Sequence, residues 1–169
     1  MGIFTPDVNN LRELYLNMLQ RALNSEKQIV DKGLPAMIEK STSPELAEAF
    51  RNHLSESKQH VMRLERILDA LEGEVSDSKC KVTAALISSA EAEIADAAND
   101  GIRDVILIAA GNQIEHHEIA VYGTLRIWAE ILGYQQDAQL LDKTLGEEEH
   151  ADELLSRLSQ QINVAAPVA

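Results

Sequence analysis

Cysteine occurs once in 169 residues, aromatic side chains make up 4%, and lysine plus arginine are outnumbered by aspartate plus glutamate 15 to 28. Each shortage excludes something. The lone thiol, Cys80, cannot form an internal disulfide and reads as inert unless it is exposed. A net charge of −13 repels phosphate backbones, and no local basic patch offsets it, so no nucleic acid is expected as a partner. No apolar run approaches the ~18 residues that cross a bilayer, which argues against a membrane span. The first residues also lack the basic and apolar regions of a signal peptide, so a cytoplasmic location is expected. What is present is 45% apolar residues, chiefly Leu, Ile and Ala. That composition suits packed helices, and the length suits a single domain over 1–169 with a proper core.

The helices can be placed in order. Thr5-Pro6-Asp7 is a helix-start signal, and the first helix is expected to run to about Glu39, kinked near Gly33 and Pro35. Its apolar stripe is Leu11, Tyr15, Met18, Leu19, Ala22, Ile29 and Val30, and Glu26 falls close to its centre. Ser43-Pro44-Glu45 starts a second helix, which Gly73 would end. Here the stripe is Leu46, Phe50, Leu54, Val61, Leu64, Leu68 and Leu71, with His53 and Ser57 inside it and Glu56 and His60 toward a border. After a polar connection over 74–81, Val82 to Ala98 has helical composition, and Asn99-Asp100-Gly101 breaks it. The third long helix spans about Ile102 to Leu132, and the fourth about Gln136 to Ile162. A crossover helix between the second and third lets those two run parallel. The expectation is therefore an all-α fold, a ferritin-like four-helix bundle with a short crossover helix.

Acidic residues interrupt these stripes. In the third helix Glu118 lies among Leu107, Ile114, Val121, Leu125 and Leu132, with Glu115 to one side, while His116 points the opposite way. In the fourth, Glu148 is central and Asp152 follows one turn later. The Glu147-x-x-His150 pair has the spacing of a di-iron signature, but His150 falls on the outer face with Lys143, Gly146, Glu153 and Arg157. An unpaired buried carboxylate costs several kcal/mol or neutralises, so these groups need partners. Glu26 precedes Glu56 by 30 residues and Glu115 precedes Glu148 by 33, suggesting a repeated helix pair. Carboxylates with imidazole suit two divalent ions, iron or manganese. The candidate ligands are Glu26, Glu56, His60, Glu115, Glu118, Glu148 and Asp152. His53 is the substitute if His60 points away, and Tyr122 is expected to donate to a carboxylate from behind.

The segments Ser25-Glu26-Lys27-Gln28, His53-Leu54-Ser55-Glu56, Glu115-His116-His117-Glu118-Ile119-Ala120-Val121-Tyr122-Gly123-Thr124-Leu125 and Glu147-Glu148 resemble the YciE/YciF family of ferritin-like bacterial proteins over nearly the whole chain. The resemblance implies a bundle with a crossover helix, a homodimer, an association with stress response and a rubrerythrin-like dinuclear metal centre. It places ligands at Glu26, Glu56, Glu115, Glu118 and Glu148. One departure stands out. Ferritin-like proteins usually carry histidine three residues after the glutamate, where this chain has Gln59 and Ala151.

Three functions fit this reading. The first is a di-iron or dimanganese centre that reduces peroxide or oxygen. Without a Cys-x-x-Cys pair for a rubredoxin module, it would draw electrons from a separate donor. The second is iron binding, although the short terminal helix with which ferritins build storage shells is lacking. The third is a structural or partner-binding bundle that metal merely stabilises. Against all three stands a metal-free polar network tied by arginine and Tyr122.

Overall fold

The computed structural model describes residues 8–71 and 79–166. Helix α1 (Leu11–Gln28) passes through a π-helical turn (Ile29–Gly33) into α2 (Leu34–Lys40), and these form the first long rod. Then come α3 (Pro44–Ala70), the crossover α4 (Lys81–Ala95), α5 (Asp100–Leu132) and α6 (Gln135–Ala165). The described residues contain no strand. The helical bundle read from the sequence is the observed fold. None of the described helices is long and apolar enough to cross a membrane.

Local chemistry explains most boundaries. Asn10 caps α1 by accepting from the Glu13 amide, so residues 8–10 precede the first helix instead of belonging to it. The Thr5-Pro6-Asp7 signal and Gly73 lie outside the described residues. Ser43 caps α3 by accepting from Leu46, with Pro44 at the first helical position. Asn99 caps α5, and Gly133 ends it at φ 80°, a left-handed conformation that glycine adopts without strain. The kink expected at Gly33 and Pro35 is the π-helical turn, in which Leu34 N–H reaches back to the Ile29 carbonyl. This wider turn accommodates Pro35, which has no amide hydrogen to give.

Contacts at the helix ends fix the directions. Arg12 of α1 donates to the Leu71 carbonyl and to Tyr134, and Tyr15 donates to Asp137. The start of α1 therefore meets the end of α3 and the start of α6. At the other end, buried Asp104 of α5 accepts from the amides of Thr42 and Ser43 at 2.8 Å each and from the Thr42 hydroxyl at 2.6 Å. Hence α3 and α5 run parallel, and α4 spans the bundle between them. Around the bundle the neighbours are α1, α3, α6 and α5 in turn. At Gly111, α5 comes so close to α6 that an added Cβ would sit 2.7 Å from Leu155 Cδ1.

The core has two apolar ends. One is built on Tyr15, Leu19, Leu64, Leu68, Leu125 and Leu141, the other on Leu34, Leu46, Phe50, Leu107, Ile114 and Leu155. Between them lies a polar layer.

Candidate metal centre

The middle layer holds Glu26 from α1, His53 and His60 from α3, Glu115 and Glu118 from α5, and Glu148 from α6, none more than 5% exposed. Two groups of ligand atoms lie close enough to hold an ion. They are Glu26, His60 and Glu148, and His53, Glu115, Glu118 and Glu148, so that Glu148 belongs to both. His60 Nδ1 is 3.1 Å from Glu26 Oε1 and 2.9 Å from Glu148 Oε1. His53 Nε2 is 3.3 Å from Glu115 Oε2 and 3.4 Å from Glu148 Oε2.

Neighbours hold one atom of most of these side chains and leave another over. Tyr122 donates to Glu26 Oε1 at 2.5 Å, and Glu26 Oε2 makes no hydrogen bond. Ser25 donates to Glu118 Oε1 at 3.3 Å, and Glu118 Oε2 makes none. His60 Nε2 lies 2.9 Å from Glu147, whose carboxylate is gripped by Arg63 through both terminal guanidinium nitrogens. His53 Nδ1 faces Glu56 at 3.6 Å. Neither Glu148 oxygen has a hydrogen bond of normal geometry, despite the short approach of His60.

Electrostatics follow from this crowding. Burial drives the Glu118 carboxyl far above its ordinary range, and the neighbouring Glu26, Glu148 and Glu115 push it further. Glu148 is raised to about 7, chiefly by burial. Glu26 is raised by burial, against the contact with His60. For His60 burial works downward, but Glu148 and Glu26 prevail and hold it at about 10. His53 is likewise raised, with burial outweighed by Glu115 and Glu148. With no lysine or arginine buried in the layer among the described residues, protons would have to supply positive charge when no metal is bound.

Six side chains of the layer were thus named from sequence, five as candidate ligands and His53 as a substitute. Both histidines turn inward. His60, expected at a border, has no exposed surface, and Glu56 takes the border position with its side chain 39% exposed. Asp152 is not brought to the layer. Its carboxylate accepts from Asn112 at 2.6 Å and lies 3.0 Å from His116, and Ala151 fills the inward position. The reason is a seam of 3.5-residue average spacing. In α6 it runs Leu141, Thr144, Glu148, Ala151, Leu155, stepping three residues beyond Glu148, not four. In α3 it runs Phe50, His53, Ser57, His60, Leu64, which brings both histidines in and leaves Glu56 aside. Glu147, noted in the sequence only for its spacing to His150, is the residue sequence reasoning missed, because its partners His60 and Arg63 are distant in the chain. His150 is exposed, as its helix face indicates.

Two cavities flank the layer. One, of about 580 Å³, lies between α1, the start of α4 and α5 and reaches Ser25 and Glu118. The other, of about 400 Å³, lies between α3 and α6 and reaches His53, Glu56 and Glu115.

The model of the DUF892 family, described as a domain of unknown function, matches residues 10–166. The chain belongs to this family. Among DUF892 relatives, protein YciF of Escherichia coli K12 is 31% identical over 154 residues, 90% of this chain and 92% of YciF. This bears out the resemblance to YciE/YciF proteins. The crystal structure of the E. coli stress protein YciF superposes with a TM-score of 0.88 at 30% identity, covering 94% of this chain and all of that one. YcfI of Rhodopseudomonas palustris, for which a structural role has been suggested, matches with a TM-score of 0.84 at 31% identity, covering 98% and 100%.

Proposed function

We propose that this DUF892 protein is a dinuclear-metal protein, with two iron ions or alternatively two manganese ions, that reduces peroxide as part of a stress response. The observation that supports it is the set of unpartnered, fully buried oxygens on Glu26, Glu115, Glu118 and Glu148 beside two inward histidines. Among the described residues no lysine or arginine is buried with them. Four carboxylates match the charge of two divalent ions, and buried charge of one sign is otherwise very costly. The donor chemistry, carboxylate oxygen with imidazole nitrogen, suits iron or manganese.

In this reading Glu26, His60 and Glu148 would hold one ion, and His53, Glu115, Glu118 and Glu148 would hold the other. When bound, such ions supply electrons and Lewis acidity toward a peroxide. The protein's own residues set up the layer. Tyr122 and Ser25 each fix one oxygen of a carboxylate and so aim the other. Glu147, held by Arg63, accepts a hydrogen bond from His60 Nε2–H and leaves Nδ1 its lone pair toward Glu26 and Glu148. Glu56 stands 3.6 Å from His53 Nδ1 without a hydrogen bond and is assigned no direct bond to metal. With a single cysteine in the chain, electrons come from a separate donor. The protein works as a homodimer in the cytoplasm.

The test is anaerobic loading with ferrous iron, then addition of a few equivalents of hydrogen peroxide. Rapid loss of one peroxide per pair of ions is expected, with manganese run in parallel. Loading without peroxide loss would overturn the redox reading. It would favour the second one, a metal-stabilised structural protein, which the complete burial of Glu26 and Glu148 also suits.

A further inference from the structure

The 580 Å³ cavity has features that the metal centre does not require. Its rim carries the exposed Arg21, Lys79 and Lys81 in a chain of net charge −13. Its walls include the apolar Met18 and Val121. At its inner end the cavity reaches the buried Glu118 of the metal layer. Cys80 also lines it, at the N-cap of α4, where the helix terminus favours a negative charge. Thr83 donates to Cys80 Sγ at 3.3 Å, and His117 Nε2 lies 3.8 Å from it. Thr83 Oγ1 also lies 2.6 Å from Ser25 Oγ.

We propose that this cavity binds a small organic hydroperoxide and that Cys80 is the group that reacts with it. The sulfur attacks the terminal peroxide oxygen, forming the S–O bond and breaking O–O. The thiol becomes a sulfenic acid, the hydroperoxide is reduced to its alcohol, and the thiol proton ends on that alcohol. The volume falls in the range of small-molecule pockets and is far larger than a two-oxygen molecule needs. The apolar walls suit an organic body, and the cationic rim suits the developing alkoxide. Burial alone would raise the Cys80 pKa, but its bonds to His117 and Thr83 bring it to about 6. This site does not depend on the metal reading.

The experiment uses the full chain loaded with redox-silent zinc, or as purified if it takes none. It is treated with cumene hydroperoxide or hydrogen peroxide, and Cys80 sulfenic acid is trapped with dimedone and quantified by mass spectrometry. Cys80 is expected to react at least about tenfold faster than free cysteine and to prefer cumene hydroperoxide. Val82→Trp, an exposed substitution at the mouth, should slow it by about fivefold or more, and Cys80→Ser should abolish labelling. A rate like that of free cysteine, equal rates with the two peroxides, or no effect of Val82→Trp would each overturn the proposal. Zinc stoichiometry is counted separately, so failure at Cys80 and failure of the metal reading are distinguishable.

Discussion

Glu148 faces both histidines and has no hydrogen bond of its own, which makes it the most exacting position in the layer. Glu148→Ala and Glu118→Ala should each abolish high-affinity metal binding, measured by equilibrium dialysis. His150→Ala and Asp152→Ala should leave it intact, because both side chains lie outside the layer. Glu147→Gln should weaken affinity by about 10–100-fold, the usual effect of losing a group that orients a ligand. The pH dependence follows from the raised groups. Stability from His60 is fully present below its ordinary 6.5 and lost as pH rises toward about 10, and that from Glu148 is lost through about 7. Metal-free protein should therefore melt lower at pH 9 than at pH 6, on the order of 5 °C by scanning calorimetry. Metal needs deprotonated ligands, so the stabilisation it gives should grow over the same interval. The four buried glutamates were legible in sequence because Glu26, Glu118 and Glu148 interrupt apolar stripes and Glu115 lies beside one. Glu147 was not, since a run of three glutamates gives no sign that one of them meets an arginine 84 residues away.

At the level of elements, the helices, the crossover and the parallel course of α3 and α5 were legible from caps, breaks and connection length. The inward register was less so. A straight-helix period of 3.6 drifts by about 20° per heptad against a 3.5-residue seam. Over α3 that drift set His60 at a border beside Glu56 although His60 is fully buried, and over α6 it offered Asp152 where Ala151 faces inward. Asp104 shows the same limit, because the amides it caps belong to the turn before α3. Asp104→Ala should cost roughly 2–3 kcal/mol in urea unfolding, as expected for lost charge-assisted hydrogen bonds, without changing metal content. Loss of metal in that variant would mean that the turn between α2 and α3 governs the site as well.

For the whole molecule, the polar layer separates two apolar cores that could otherwise have been continuous. Such a layer weakens a bundle unless something neutralises it. On this account metal binding and folding are linked, and an excess of chelator should lower the melting temperature. The most direct measurement is an anaerobic titration of the metal-free chain with ferrous iron, counting ions bound and protons released per chain. The account predicts two ions, with protons expelled from the layer as they bind. Saturation at no ion, or uptake that survives Glu148→Ala unchanged, would contradict it.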